Sequence, residues 1–294
     1  MANLKEIRVR LNSVKSTRQI TSAMKMVSAA KLRRAQDTIL QMRPFSNKLQ
    51  DIYKTVQSAS SEPANNVFFK SNPSERVLLV IISSNRGLCG GFNSNVVKKT
   101  NARIAEKYES EKAEKKLDII CIGKKGWDGL KSKGLSIIET QHDLFDELTF
   151  ENANKIADRL IADFMAQKYN TIELIYNQFR NAAVQDVVAE RFLPVFTNID
   201  EEEQEEDLLN FIYEPSAPLL LETLIPLSLH IRFHKALLDS WASEHGARMT
   251  AMHKATDNAT DFIRDLHLTY NKARQAAITK ELTEIVSGAN ALKG

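Results

Sequence analysis

Apolar residues recur along this chain with two different periods. In residues 3–58, Leu4, Ile7, Leu11 and Val14 step by three, four and three; the phase then slips, and Ile20, Met24 and Val27 resume the four–three rhythm. That is the period of a helix with one buried stripe. The segment has no glycine and is rich in Ala, Met, Lys, Arg, Gln and Leu, all good helix formers. A slipped heptad predicts a helix that packs on a partner without a uniform supercoil. Pro44 should kink or interrupt it. Residues 59–75, polar and carrying Pro63 and Pro73, read as a linker or loop.

The middle of the chain changes rhythm. Val77–Ile82 is a continuous apolar run of the kind buried parallel strands show. Residues 92–108 read as helix, 118–122 as strand, 124–133 as a short helix and 136–139 as strand. A helix over 151–168 and a strand over 172–176 follow. Val184–Pro194 reads as a further strand, joined through Arg180–Ala183 as a hairpin. Strand–helix alternation implies right-handed crossovers and a mostly parallel sheet, with domain boundaries near 75 and 205.

After Pro226 no proline follows, and residues 227–287 contain one glycine, Gly246. As one helix they would extend about 90 Å. Met252, Ala255, Ala259, Phe262, Leu266, Thr269, Ala273 and Ala276 step alternately by three and four, a heptad seam with many small residues. The two terminal helices, each too long for a compact domain, are each other's natural partners. An α/β body then interrupts an antiparallel helical pair.

Composition sharpens this division. Of the 10 glycines in 294 residues none precedes Gly87, and seven fall between Gly87 and Gly134. Turn chemistry is thus concentrated in the α/β block, which disfavours all-β and collagen-like chains. The formal charge of +3 hides an asymmetry: residues 1–48 hold eleven Lys/Arg against two acids, while Asp200–Asp207 holds seven acids in eight positions. The acidic run reads as a solvated loop or helix entry. Uncharged stretches are too short to span a bilayer. The N-terminus reads as neither signal nor transit peptide.

Candidate chemistry is sparse. The loop Asn85–Asn93 follows a strand and opens a helix, a context suited to phosphate, but neither a dinucleotide nor a Walker A fingerprint occurs, so a tight strand-to-helix turn is the simpler reading. His230 and His234 are four apart without a third ligand nearby, and read as surface or packing histidines. Cys89 and Cys121 read as buried free thiols, fitting a reducing compartment. The basic residues of the first helix scatter around its circumference, unlike a groove-binding stripe, so nucleic acid is not expected. From Ala276 to Gly294 the only charges are Lys280, Glu281, Glu284 and Lys293. Such a helix end either packs on its own body or inserts into another protein.

ITKELTEIVSGANAL at 278–292 closely resembles the C-terminal signature of the γ subunit of F-type ATP synthases. MTAMHKATDNA at 249–259, YNKARQAA at 270–277, KEIRVRLNSVKSTRQITSAMKMVSAAKLRRAQ at 5–36 and SSNRGLCGGFN at 83–93 extend the resemblance over the whole chain. Residues and resemblance together predict the fold class α/β: a long antiparallel coiled coil of N- and C-terminal helices with an inserted Rossmann-like α/β domain with a mostly parallel sheet. The expected divisions are an N-terminal coiled-coil helix over 1–58, an α/β foot over 76–200 and a C-terminal coiled-coil helix over 208–294.

The resemblance implies a rotor shaft. In the family the paired helices turn inside a ring of α and β subunits, and the foot is bound to the ε subunit and the membrane c ring. Proton flow then drives ATP synthesis on β, with no catalysis and no cofactor on the shaft itself. It also implies contacts with the α/β ring for Arg274, Gln275, Thr279 and Glu281 near the tip, for Met24 near the lever region of β, and for Arg248 on the opposite helix. No cysteine-bearing regulatory insert of the plastid kind is apparent. The implied location is peripheral, on the cytoplasmic face of a bacterial inner membrane. A nucleotide-binding α/β enzyme with helical arms and a static coiled-coil scaffold are the competing classes.

Overall fold

The computed structural model describes residues 4–59, 67–69, 72–195, 214 and 216–291. The acidic run at 200–207 and most of the linker at 59–75 lie outside the described residues. The chain forms two compact units, one of Met1–Ser28 with Met249–Gly294 and one of Ala29–Arg248.

The larger unit is built on a five-stranded sheet of β1 (Val77–Ile82), β2 (Leu117–Ile122), β3 (Ser136–Gln141), β4 (Thr171–Phe179) and β5 (Gln185–Leu193). The spatial order is β3-β2-β1-β4-β5. The first four strands run parallel, and β5 returns antiparallel on β4 as the expected hairpin. Helices α2 (Phe92–Lys107), α3 (Glu109–Ala113), α4 (Lys124–Leu130) and α5 (Phe150–Met165) make or cap the crossovers. Both faces of β1 are covered, which is why its sequence does not alternate. Leu78, Val80 and Ile82 pack with Ala157, Leu160 and Phe164 of α5 on one side. Val77, Leu79 and Ile81 pack with Val96 and Ile104 of α2 on the other.

The long helices α1 (Leu4–Ala59) and α6 (Ala217–Ala291) carry the largest departures from expectation. Pro44 does not interrupt α1, which remains helical across it. Helix α6 starts ten residues before Leu227 and runs through Pro226. Its early turns put Leu221, Ile225 and Leu229 into the core at 2%, 0% and 0% exposure. Burial of that stripe outweighs the single hydrogen bond a proline removes. Pro218 sits in the first turn, where a missing N–H costs nothing. Gly288 lies inside the helix, where an added Cβ would meet nothing within 4 Å.

In the smaller unit the seams shift relative to the apolar pattern. On α1 the inward positions are 4, 7, 11, 14, 18, 21, 25 and 28, an unbroken heptad. The phase does not slip. Ile20 and Val27 are 60% and 58% exposed, whereas Thr21 and Ser28 beside them are buried. Apolar pattern misled here because the inward positions after Val14 are polar: Thr21 and Ser28 are small, and Arg18 and Lys25 are long and basic. Thr256 Oγ1 donates to Thr21 Oγ1 at 2.8 Å, a cross-helix bond the seam can hold because both side chains are short. On α6 the inward line is 252, 256, 259, 263, 266, 270, 273 and 277. The expected positions 252, 259, 266 and 273 stand. Phe262, Thr269 and Ala276 give way to their successors, with Ile263 buried and Phe262 58% exposed. A pattern of three-then-four and one of four-then-three share every second position, and only packing separates them.

This register has a direct consequence for stability. Leu11→Ala should lower the midpoint of helix loss by an amount equivalent to about 2 kcal/mol, and Ile20→Ser by less than about 0.5 kcal/mol. Thermal circular dichroism of the full chain reads both. Equal losses would restore the slipped phase.

Candidate interaction surface

Exposed apolar side chains concentrate on the smaller unit. Val9, Ile20, Met26 and Val27 on α1 and Phe262 and Leu268 on α6 are 58–66% exposed. Taking Thr21 opposite Thr256 in an antiparallel pair, Leu4 falls opposite residue 273. Among the described residues no turn of α1 lies beside α6 beyond residue 273, and every residue from Ile278 to Asn290 is exposed. Ile278, Leu282, Ile285 and Val286 present 49%, 58%, 67% and 57% of their surface to solvent. Apolar residues at this spacing on an uncovered helix mark an interaction face rather than chance exposure.

The residues singled out by resemblance distribute unevenly. Arg274, Gln275, Thr279 and Glu281 are all exposed on α6. They fall on two neighbouring lines of the helix, Arg274–Ile278–Glu281–Ile285 and Gln275–Thr279–Leu282–Val286, so polar groups lead into the apolar end. Met24 is half-buried on α1. Arg248 belongs to the larger unit and is 7% exposed. Its side chain is engaged within this chain, by Glu244 Oε1 at 2.6 Å and by donation from Nη2 to the Arg86 and Gly87 carbonyls at 3.2 and 3.3 Å.

The same contacts bear on the nucleotide reading. In doubly wound sheets a ligand sits above the carboxyl ends of the strands where their order reverses, here between β1 and β4. That crevice is occupied by α6. Ser243 Oγ donates to the Asn177 carbonyl of β4 at 3.1 Å. Gly246 lies against Ala182 of the β4–β5 turn, where a Cβ would meet backbone at 3.2 Å. Gly246 was the legible signal, since a lone glycine in a long helix marks close backbone approach. The loop after β1 is tied to itself: Asn93 Oδ1 accepts from the Ser84 amide at 3.0 Å, and Asn93 Nδ2 donates to Cys89 Sγ at 3.1 Å. It is a structural turn.

The remaining candidates are absorbed by packing. His230 Nε2 lies 2.6 Å from Asp158, and His234 meets the Phe150 ring edge-on. Cys89 and Cys121 are buried and free; burial pushes the Cys121 thiol up to about 12, which makes it inert. Among the described residues no helix is long and apolar enough to cross a membrane. A carboxylate that sequence reading did not single out, Glu173 of β4, is fully buried under α2. It accepts from Arg103 and Lys107 at 2.9 Å and from the Tyr108 hydroxyl at 2.6 Å.

Comparison with known proteins places this architecture. Residues 3–292 match the family described as ATP synthase. An ATP synthase gamma chain of Flavobacterium psychrophilum is 54% identical over 294 residues, covering all of both chains. One from Flavobacterium johnsoniae is 52% identical with the same coverage. Among solved structures, the central stalk/c-ring of the Tetrahymena thermophila mitochondrial ATP synthase is 26% identical with a TM-score of 0.57, covering 80% of this chain and 99% of that one. A chain of the Euglena gracilis mitochondrial ATP synthase shares the fold at 22% identity, with a TM-score of 0.67 and coverage of 98% and 94%. The chain belongs to the ATP synthase gamma chain family.

Proposed function

We infer that this chain is the rotor shaft of an F-type ATP synthase. Its long helices α1 and α6 turn within the ring of α and β subunits, and its α/β domain, built on β1–β5, is the foot that joins the ε subunit and the c ring. Proton flow through the c ring turns the shaft, and the changing contacts between shaft and ring shift nucleotide affinities on β. A ligand-free shaft can do this because only differential contact among states is needed. The chain itself is non-catalytic. It works peripherally at the cytoplasmic face of a bacterial inner membrane.

The observation that carries this reading is the uncovered end of α6, with Ile278, Leu282, Ile285 and Val286 exposed and few charges between. Such an end fits an apolar sleeve in which a turning helix meets no deep electrostatic wells. Met24, Arg274, Gln275, Thr279 and Glu281 are the proposed ring contacts. For Arg248, buried as it is, any influence on the ring runs through α6.

Mixing the full chain with the α and β subunits of a close relative tests the assignment. A stable complex should form, with rotation of the shaft visible as ATP is hydrolysed. Ile285→Asp with Val286→Asp should weaken assembly at least about tenfold, the effect of two charges placed in an apolar site. A chain that joins no such complex is not the shaft.

A further inference from the structure

Over residues 243–248 polar contacts between α6 and the α/β domain cluster within two turns. Earlier in the helix Leu229, Phe233 and Leu237 meet the sheet through apolar contact, with His230 beside Asp158 and with Arg232 donating to the Glu190 carboxylate and the Arg191 carbonyl at 2.7 and 2.9 Å as a first polar hold. The apolar part of that hold is non-directional and by itself resists turning or sliding only weakly. The Ser243 bond to Asn177 and the close approach of Gly246 to Ala182 are directional. Arg248 adds a third. Nη2 donates to both the Arg86 and Gly87 carbonyls, and Nε reaches Gly87 at 3.4 Å. Glu244 Oε1 steadies Nη1 from one turn below, and His245 Nδ1 faces the same nitrogen at 3.3 Å. The receiving loop is itself held, since the Arg86 carbonyl also accepts from Ser84 Oγ at 2.7 Å.

A planar guanidinium spanning two successive carbonyls resists rotation and translation together, which a lysine cannot do. Arg248 is also the last residue of the larger unit, so it stands where α6 leaves the α/β domain.

We propose that Arg248, oriented by Glu244, is the key that locks α6 to the α/β domain against turning about its own axis, so that torque entering that domain passes into the helix. This rests on the rotor reading above. Arg248 is a positioning residue, acting through α6.

The test uses the complete synthase assembled with the full chain, in sealed vesicles and on single molecules. Angular stiffness is read from the fluctuations of a bead fixed to the α/β domain while the α/β ring is held. Arg248→Met should lower that stiffness at least about twofold and proton-driven ATP synthesis per complex at least about fivefold, with ATP hydrolysis by the detached ring-and-shaft complex within about twofold. Glu244→Gln should move stiffness in the same direction by less. Arg248→Lys keeps the charge and loses the fork; it should also soften the joint, and it carries the test if Arg248→Met does not assemble. A lysine variant as stiff and as active as the unaltered chain overturns the proposal. If the unaltered chain fails to assemble and turn, the rotor reading fails; if it turns and these variants match it, only the key does.

Discussion

Gly123→Val should leave the α/β domain unfolded at ordinary temperature. Gly123 ends β2 with φ of 98°, in the region where a side chain is strained. A Cβ there would stand 2.3 Å from the Ser83 carbonyl oxygen and 2.7 Å from its carbon. Neither neighbour can yield. The Ser83 amide donates to Ile122 at 2.8 Å, the Gly123 amide donates to Gln141 at 2.7 Å, and Ser83 Oγ accepts from the Gly126 amide at 2.8 Å. Moving Ser83 would therefore open the tops of β1, β2 and β3 together. Backbone strain and overlap sum to more than about 4 kcal/mol, a large share of a domain's stability. Denaturant unfolding followed by Trp127 and Trp241 fluorescence measures it. Gly87→Ala, at a glycine with nothing within 4 Å, is the control and should be nearly silent. A valine variant as stable as that control would refute the geometry.

Glu173→Ala should cost about 3 kcal/mol, at the lower end for a broken buried pair because Arg103 and Lys107 keep a quarter to a third of their side chains in water. Burial alone would raise the Glu173 carboxyl, but hydrogen bonds from Arg103, Tyr108 and Lys107 outweigh it and hold the group at about 2. A depressed carboxylate stabilises the fold fully above its ordinary value of 4.5, and that contribution is lost as pH falls toward 2. The unaltered chain should thus lose about 3 kcal/mol over this window through this group. The alanine variant should lack that part of the acid limb. Acid titration at fixed denaturant compares the two; identical slopes would mean that the carboxylate is not paired as described.

Element types were legible along most of the chain because period and composition agree there. The continuous apolar run 77–82 reads as a strand buried on both faces, 118–122 reads as strand, and the hairpin through 180–183 is as expected. Where local rules and packing compete, the pattern ran out. Pro226 reads as a stop, yet Leu221, Ile225 and Leu229 carry the helix through it. The inward face of α1 at Thr21 and Ser28 was hidden by larger apolar neighbours, Ile20 and Val27, which face outward. Their exposure turns a supposed packing seam into part of the candidate surface. Glu173, a lone charge inside an apolar strand, was a visible signal of a buried ion cluster, but its partners lie some seventy residues away in the sequence. Arg248 was picked out by family likeness as a contact of the α/β ring, and nothing local to 244–248 reveals that within this chain its guanidinium reaches the carbonyls of the loop at 86–87.

The hydroxyl pair Thr21–Thr256 acts as a ruler. A seam that repeats every seven residues can be shifted by seven with each inward position still facing another, a displacement of about 10 Å. In either shifted alignment Thr21 would face Met249 or Ile263, and its hydroxyl would lose its cross-helix partner at a cost near 1 kcal/mol. The bond that fixes this alignment also fixes how many turns of α6 stand clear of Leu4. The free length of the shaft's tip is thus measured out some seventeen residues away from α1's first described turn, at Thr21.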